Sequence, residues 1–252
     1  MKKAAQLVFQ SAVGFCVFSS AIVSASSNTT NVDANQLVRR ADLTRAPFTQ
    51  FSCRVRVIDD DGIEKKQSLF RVLVKDERTS LVEQIEPERA RGRKLLLKDF
   101  DMWLYTPNMK RATRISMEQK LTGEVSNGDL ARTHFSQDYG AQKIGTENIL
   151  GKETLKLELL AKNKNVTYRK IHYWIETDSA VPVKAQFFAL SGKLLKEAIY
   201  QNLKSELGVK IIHEMIITDA LRKNKTSSLV YSDYKAEKFS DAKFNKESLD
   251  QD

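Results

Sequence analysis

Cysteine is nearly absent from this 252-residue chain: only Cys16 and Cys53 occur. Cys16 lies in an apolar leader, so Cys53 stands alone once the leader is removed, and an internal disulfide is excluded. An unpaired thiol in an oxidising compartment is ordinarily buried. Cys53 shares the alternating run Phe51, Cys53, Val55, Val57, which points it inward. Histidine is equally scarce. His134, His172 and His213 have no His or Cys neighbour at metal-ligand spacing. HExxH, GxSxG, CxxC and phosphate-loop motifs are missing. No segment after residue 23 approaches the roughly 20 apolar residues of a membrane helix. These absences leave no convergent catalytic set and no expected cofactor or metal.

What is present begins with a three-part leader. Lys2 and Lys3 precede an almost uncharged stretch over residues 7–23, followed by Val23-Ser24-Ala25. This layout predicts a secretory signal peptide over residues 1–25, cleaved after Ala25, and a periplasmic destination. Residues 26–35 read as a flexible start and residues 36–249 as one domain. The leader holds two lysines and no acid, so the net charge of +9 falls to +7 without it. A basic surface attracts nucleic acid, anionic lipid head groups or an acidic protein face. Secretion argues against nucleic acid.

Asp33 to about Leu43 reads as a short capped helix with Leu37, Val38 and Ala41 on one face. From Phe51 the period changes to two. Alternating runs recur about every ten residues to Tyr234, separated by short polar turns such as Asp59-Asp60-Asp61-Gly62 and Ser191-Gly192. Such runs pair antiparallel. The predicted fold class is α+β, mainly antiparallel β. So few helices cannot cover a wide flat sheet, so the apolar face must curl into a barrel or half-barrel of about ten or eleven strands. Aromatic residues on these strands fit either a packed core or a ligand cavity.

Two features stand out from the strand rhythm. Residues 121–139 have neither period for their full length and carry Ser126-Asn127-Gly128-Asp129 in the middle. Such a stretch is either a functional segment or a plain surface loop with one short helix over residues 129–134. Basic residues also concentrate between Arg89 and Arg132, including Arg91, Arg93, Arg111 and Arg114. They form either a solvated surface or a rim that can meet phosphate through bidentate hydrogen bonds.

Residues 91–139 resemble the central segment of the LolA-like, outer-membrane lipoprotein-sorting family. The order Met102-Trp103-Leu104-Tyr105-Thr106-Pro107, then Arg111, then Arg114-Ile115-Ser116, then an Asp-containing loop ending in Tyr139, carries the resemblance. Tyr173-Trp174-Ile175-Glu176, Val181-Pro182-Val183, Gly192-Lys193-Leu194 and residues 244–249 extend it. The resemblance implies an incomplete barrel closed by helices and a lid around an apolar cavity. It also implies a carrier of acylated lipoproteins or lipids. Its partners would be an inner-membrane RND-type exporter or an ABC release complex, with transient contact to a membrane surface. On this basis Phe51, Val55, Phe70, Trp103, Tyr105, Tyr173 and Phe187 are expected to line the cavity. Leu121, Asn127, Asp129, Phe135 and Tyr139 are expected in the lid, and Arg91, Arg93, Arg111 and Arg114 at the rim. A sensor module that binds an inner-membrane regulator is the alternative, and an enzyme is third.

Overall fold

The computed structural model describes residues 33–206 and 208–250. The expected signal peptide lies outside the described residues. A nine-residue helix, α1 (Ala34–Asp42), opens the fold, so Ala34 and Asn35 are helical rather than part of a flexible start. Asp33 caps it by accepting a hydrogen bond from the Asn35 amide at 2.9 Å. Leu37, Val38 and Ala41 are buried.

The strands are β1 (Phe51–Asp60), β2 (Lys65–Val74), β3 (Thr79–Glu86), β4 (Lys94–Lys98), β5 (Asp101–Thr106) and β6 (Arg111–Ile115). A short ribbon, β7 (Lys120–Thr122) and β8 (Val125–Ser126), precedes helix α2 (Asn127–Ala131). The second half holds β9 (Tyr139–Ile149), β10 (Lys152–Ala161), β11 (Lys170–Glu176), β12 (Pro182–Phe188), β13 (Leu194–Glu206), β14 (Val209–Asp219) and β15 (Thr226–Ala236). Among the described residues, thirteen strands form one sheet in the order β6-β5-β4-β3-β2-β1-β15-β14-β13-β12-β11-β10-β9. Every neighbour in that order is antiparallel, which confirms the predicted class. Among the described residues β6 and β9 have no partner on their outer sides, so the barrel is incomplete. The strand count exceeds ten or eleven partly because the RATRI segment of β6, mostly polar, pairs with β5.

Turn chemistry sets the hairpins. In the β1–β2 turn the Asp60 carboxylate accepts from the Gly62 amide at 3.0 Å, and Gly62 takes φ +84°. Asp61 accepts from the Ile63 and Glu64 amides, each at 3.0 Å. These bonds suit residues that tolerate turn geometry.

The curl of the sheet follows from contacts across it. β3 and β13 are five strand spacings apart in the sheet order. On a flat sheet that is about 24 Å. Yet α2, about 7.5 Å long, touches both strands. Ser80 Oγ on β3 donates to the Ala131 carbonyl at 2.7 Å, and Lys196 Nζ on β13 donates to Asp129 at 2.5 Å. The sheet therefore wraps around the segment that carries α2.

The main core lies on the concave face and joins residues of α1, α2 and nearly all strands, including Val55, Phe70, Leu157, Tyr173 and Ile217. Cys53 is buried there, and burial pushes its thiol up to about 12. A second cluster sits on the convex face of β2–β5, where Leu73, Leu81, Leu96 and Tyr105 pack under Phe244 and Leu249 of the C-terminal tail. Edge strand β9 is covered in part by α1, where Asn35 Oδ1 accepts from the Ala141 amide at 3.0 Å.

Candidate functional site

Residues 116–139 pack against one part of the concave side. The expected loop is in fact the β7–β8 ribbon, α2 and a buried tail, and the helix spans Asn127–Ala131 rather than residues 129–134. Polar anchors hold it along its length. Asp129 pairs with Lys196 at 2.5 Å and accepts from the Tyr168 hydroxyl at 2.7 Å, and the Ser126 amide donates to the same carboxylate at 2.7 Å. Lys196 Nζ also donates to the Glu124 carbonyl at 2.8 Å. Arg132 pairs with Asp138 at 3.0 Å, with both side chains almost fully buried. Asp42, at the end of α1, accepts from the Phe135 and Ser136 amides at 2.9 Å each. Gly128 lies so close to the wall that an added Cβ would sit 1.9 Å from Thr167 Oγ1.

Burial shapes the ionisation of this segment. Desolvation raises the Asp42 carboxyl to about 6 despite its two amide donors. Desolvation, aided by the Arg45 and Arg132 charges, lowers the His134 imidazole to about 4. Arg45 lies over the Phe135 ring, 4.4 Å from its centroid.

A cavity of ≈ 810 Å³ lies between the inner faces of β2–β6 and the β7 strand. Its floor is Phe70, Val82 and Leu95, and its sides include Leu104, Ile115 and Leu121. Lys66, Arg89, Arg93 and Lys120 border it. This volume is within the range of roughly 300–1,000 Å³ typical of small-molecule sites. Across the ribbon lies a second cavity of ≈ 500 Å³, lined by Val166, Tyr168, Phe188, Leu190, Leu195 and the four basic residues Lys120, Lys164, Arg169 and Lys196, among others. Lys120 borders both, so the ribbon is the partition between them. Among the described residues, no cluster of three or more His, Cys, Asp or Glu could hold a metal ion.

A family model described as an uncharacterized protein matches residues 76–251. A LolA superfamily protein from Nitrosomonas europaea is 34% identical and superposes with a TM-score of 0.81, over 86% of this chain and 99% of that one. The chain belongs to the LolA superfamily. An outer membrane lipoprotein-sorting protein domain from Vibrio parahaemolyticus has the same fold at 23% identity and a TM-score of 0.74, over 86% of this chain and 98% of that one. A DUF1329 family protein from Desulfovibrio piger does so at 20% identity and a TM-score of 0.74, over 86% and 97%. No curated protein matches the chain.

On this LolA-superfamily scaffold the residues expected at the cavity separate into three groups. Phe70 lines the large cavity. Phe51, Val55, Tyr173 and Phe187 lie in the packed core, where the neighbouring voids are only ≈ 20 and ≈ 10 Å³, about the size of a water. Trp103 and Tyr105 point the other way, into the convex cluster beneath the C-terminal tail. Their neighbours Met102 and Leu104 take the concave face, because successive strand residues alternate. Of the expected lid residues, Leu121 and Asn127 line the large cavity, whereas Asp129, Phe135 and Tyr139 line the ≈ 10 Å³ void beside α2. Arg93 borders the large cavity, but Arg91 pairs with Glu88 and Arg114 pairs with Asp101. Arg111 is exposed at the start of β6.

Sequence reasoning missed Val82, Leu95, Leu104 and Ile115 on the wall and the buried cation Lys196. Lys196 did leave a signal, since it shares the inward parity of Ala198 and Tyr200 on β13.

Proposed function

We propose that this chain is a periplasmic carrier that takes acyl chains of a lipid or lipoprotein into the ≈ 810 Å³ cavity and moves them toward the outer membrane. One observation carries the reading: an apolar floor of Phe70, Val82 and Leu95 beneath a border of Lys66, Arg89, Arg93 and Lys120. An acyl chain suits the floor, and a phosphate or other anionic head suits the border. Membership of the LolA superfamily supports it.

Each buried methylene contributes about 0.8 kcal/mol, so a sixteen-carbon chain gains on the order of 13 kcal/mol gross. Release then requires a competing state. The ribbon and α2 supply one, because their own side chains, Val125, Leu130 and Ala131 among them, cover part of the concave apolar surface. Cargo that displaces the ribbon gives up those contacts, which lowers the net affinity. The reading assigns the chain no catalytic step. The partner that the family resemblance implies for such a carrier is an inner-membrane RND-type exporter or ABC release complex.

The test is lipid extraction of the chain purified from a periplasmic fraction, combined with photo-crosslinkers at Leu104 and Ile115. Co-purifying acyl species and crosslinks to lipid or lipoprotein are expected. Protein free of acyl species, with no crosslink at either position, removes the proposal.

A further inference from the structure

The two edges of the curled sheet differ in charge. Strand pairing places the connections 60–65, 86–94, 106–111, 161–170, 188–194 and 219–226 along one edge. The connections 74–79, 98–101, 149–152, 176–182 and 206–209 lie along the other. Counting Lys and Arg against Asp and Glu within these ranges, the first edge carries +9 and the second −3. Residues 161–170 alone hold Lys162, Lys164, Arg169 and Lys170 and no acid.

The basic edge also carries apolar tips. Ile63 is 95% exposed, Leu190 82%, Leu221 73% and Met109 55%, each in a different connection. At the opposite edge two are comparable among the described connections, Leu150 at 70% and Leu43, in the connection that leads into β1, at 58%. Single exposed leucines are ordinary on a protein surface. Here four large apolar side chains share one rim, and basic residues follow each within a few positions: Lys65, Lys110, Lys193 and Arg222. Residues of this edge border both cavities, with Arg89 and Arg93 at the larger and Lys164 and Leu190 at the smaller.

We propose that this rim docks on the surface of an anionic phospholipid bilayer, with Ile63, Met109, Leu190 and Leu221 entering the boundary between head groups and acyl chains. Apolar tips bury at that boundary, while lysines and arginines close to an anionic surface are attracted to it, an effect that salt screens. Such docking sets the bordering residues of both cavities against the lipid phase. The proposal concerns where the chain docks, not what the cavities hold, so it fails or stands separately from the carrier reading.

The test is flotation of the whole chain, without its leader, with phosphatidylcholine vesicles and with vesicles that also contain phosphatidylglycerol. Binding to the phosphatidylglycerol vesicles is expected at low salt, weakening as salt rises. The double variant Ile63→Ser/Leu221→Ser, at two tips that line neither cavity, should lose at least about tenfold in vesicle affinity, and Leu150→Ser should bind as the parent does. Thermal unfolding of the variants checks that these exposed changes leave the fold intact. No preference for phosphatidylglycerol overturns the proposal, as does undiminished binding by the double variant or an equal loss in Leu150→Ser. Uptake of a fluorescent fatty acid by the double variant, measured without vesicles, reports on the cavity alone. Docking without uptake supports this proposal and counts only against the carrier reading.

Discussion

Lys196 of β13 and Asp129 of α2 meet at 2.5 Å, with only 6% and 5% of their side chains exposed. The pair ties the central helix of the plug to the barrel wall. Glu124 and Tyr168 satisfy further hydrogen-bonding positions around it, which is what a buried ion pair needs to offset its desolvation.

Removing one partner leaves a buried charge uncompensated. Lys196→Met is expected to cost about 3–5 kcal/mol in urea denaturation, and Lys196→Met/Asp129→Leu to recover much of that loss. A loss below about 1 kcal/mol in the single variant, the scale of a surface pair, contradicts the anchoring role.

Asp42 and His134 oppose one another as pH changes. The folded Asp42 carboxyl is raised from 3.8 to about 6, so the native state holds a proton there that the unfolded chain has lost. Its contribution is present below about pH 4 and is lost as pH rises through 6. The His134 imidazole is lowered from 6.5 to about 4, so its contribution is present above pH 6.5 and is lost as pH falls through 4. Each is on the order of 3 kcal/mol, so the two nearly cancel in the parent. Asp42→Asn should become steeply less stable on acidification from pH 6.5 to 4. His134→Gln should instead lose stability as pH rises from 4 to 6. Urea midpoints across this range check both slopes, and profiles parallel to the parent refute the assignment.

Gly128 is needed for close approach rather than for backbone freedom. In Gly128→Ala the new Cβ would meet Thr167 Oγ1 at 1.9 Å. The expected cost is about 1–3 kcal/mol, with partial rescue by Thr167→Ala in the same chain. Thermal unfolding of the two single variants and the double variant measures the coupling.

Strand parity makes a sharp contrast for binding. Leu104→Trp fills the large cavity and should lower affinity for a fluorescent sixteen-carbon fatty acid at least about tenfold. Trp103→Ala, on the opposite face, should leave that affinity unchanged while lowering stability. Arg93→Ala should weaken an anionic ligand about two- to fivefold, the scale of an exposed charge pair, and leave a neutral acyl ligand unaffected. A titration in which Trp103→Ala abolishes binding and Leu104→Trp does not reverses the proposed wall.

Much of the architecture was legible because turn and cap chemistry is local. Asp33 announced α1, and Asp60-Asp61-Gly62 announced the first hairpin. The cavity wall was less legible. β4 reads KLLLK, with Leu95, Leu96 and Leu97 all buried, because the C-terminal tail covers the convex face behind them. A strand apolar on both sides conceals its inward parity, and so Trp103 and Tyr105 looked like wall while Leu104 did not. The ribbon β7–β8 was hidden for another reason: its strands are three and two residues long, too short for a period to show.

The sequence alone determined the antiparallel meander, since alternation of period two and short turns admit little else. It also determined that no disulfide braces the domain. Only the tertiary structure decided which half of the concave face is solid and which is hollow. That outcome depends on where residues 116–139 settle among strands distant in sequence: Lys196, Asp42 and Ser80 draw the segment over one region, and the space beside β7 is left open. Volume left between distant side chains is a property of their summed packing, and no local pattern of residues encodes it.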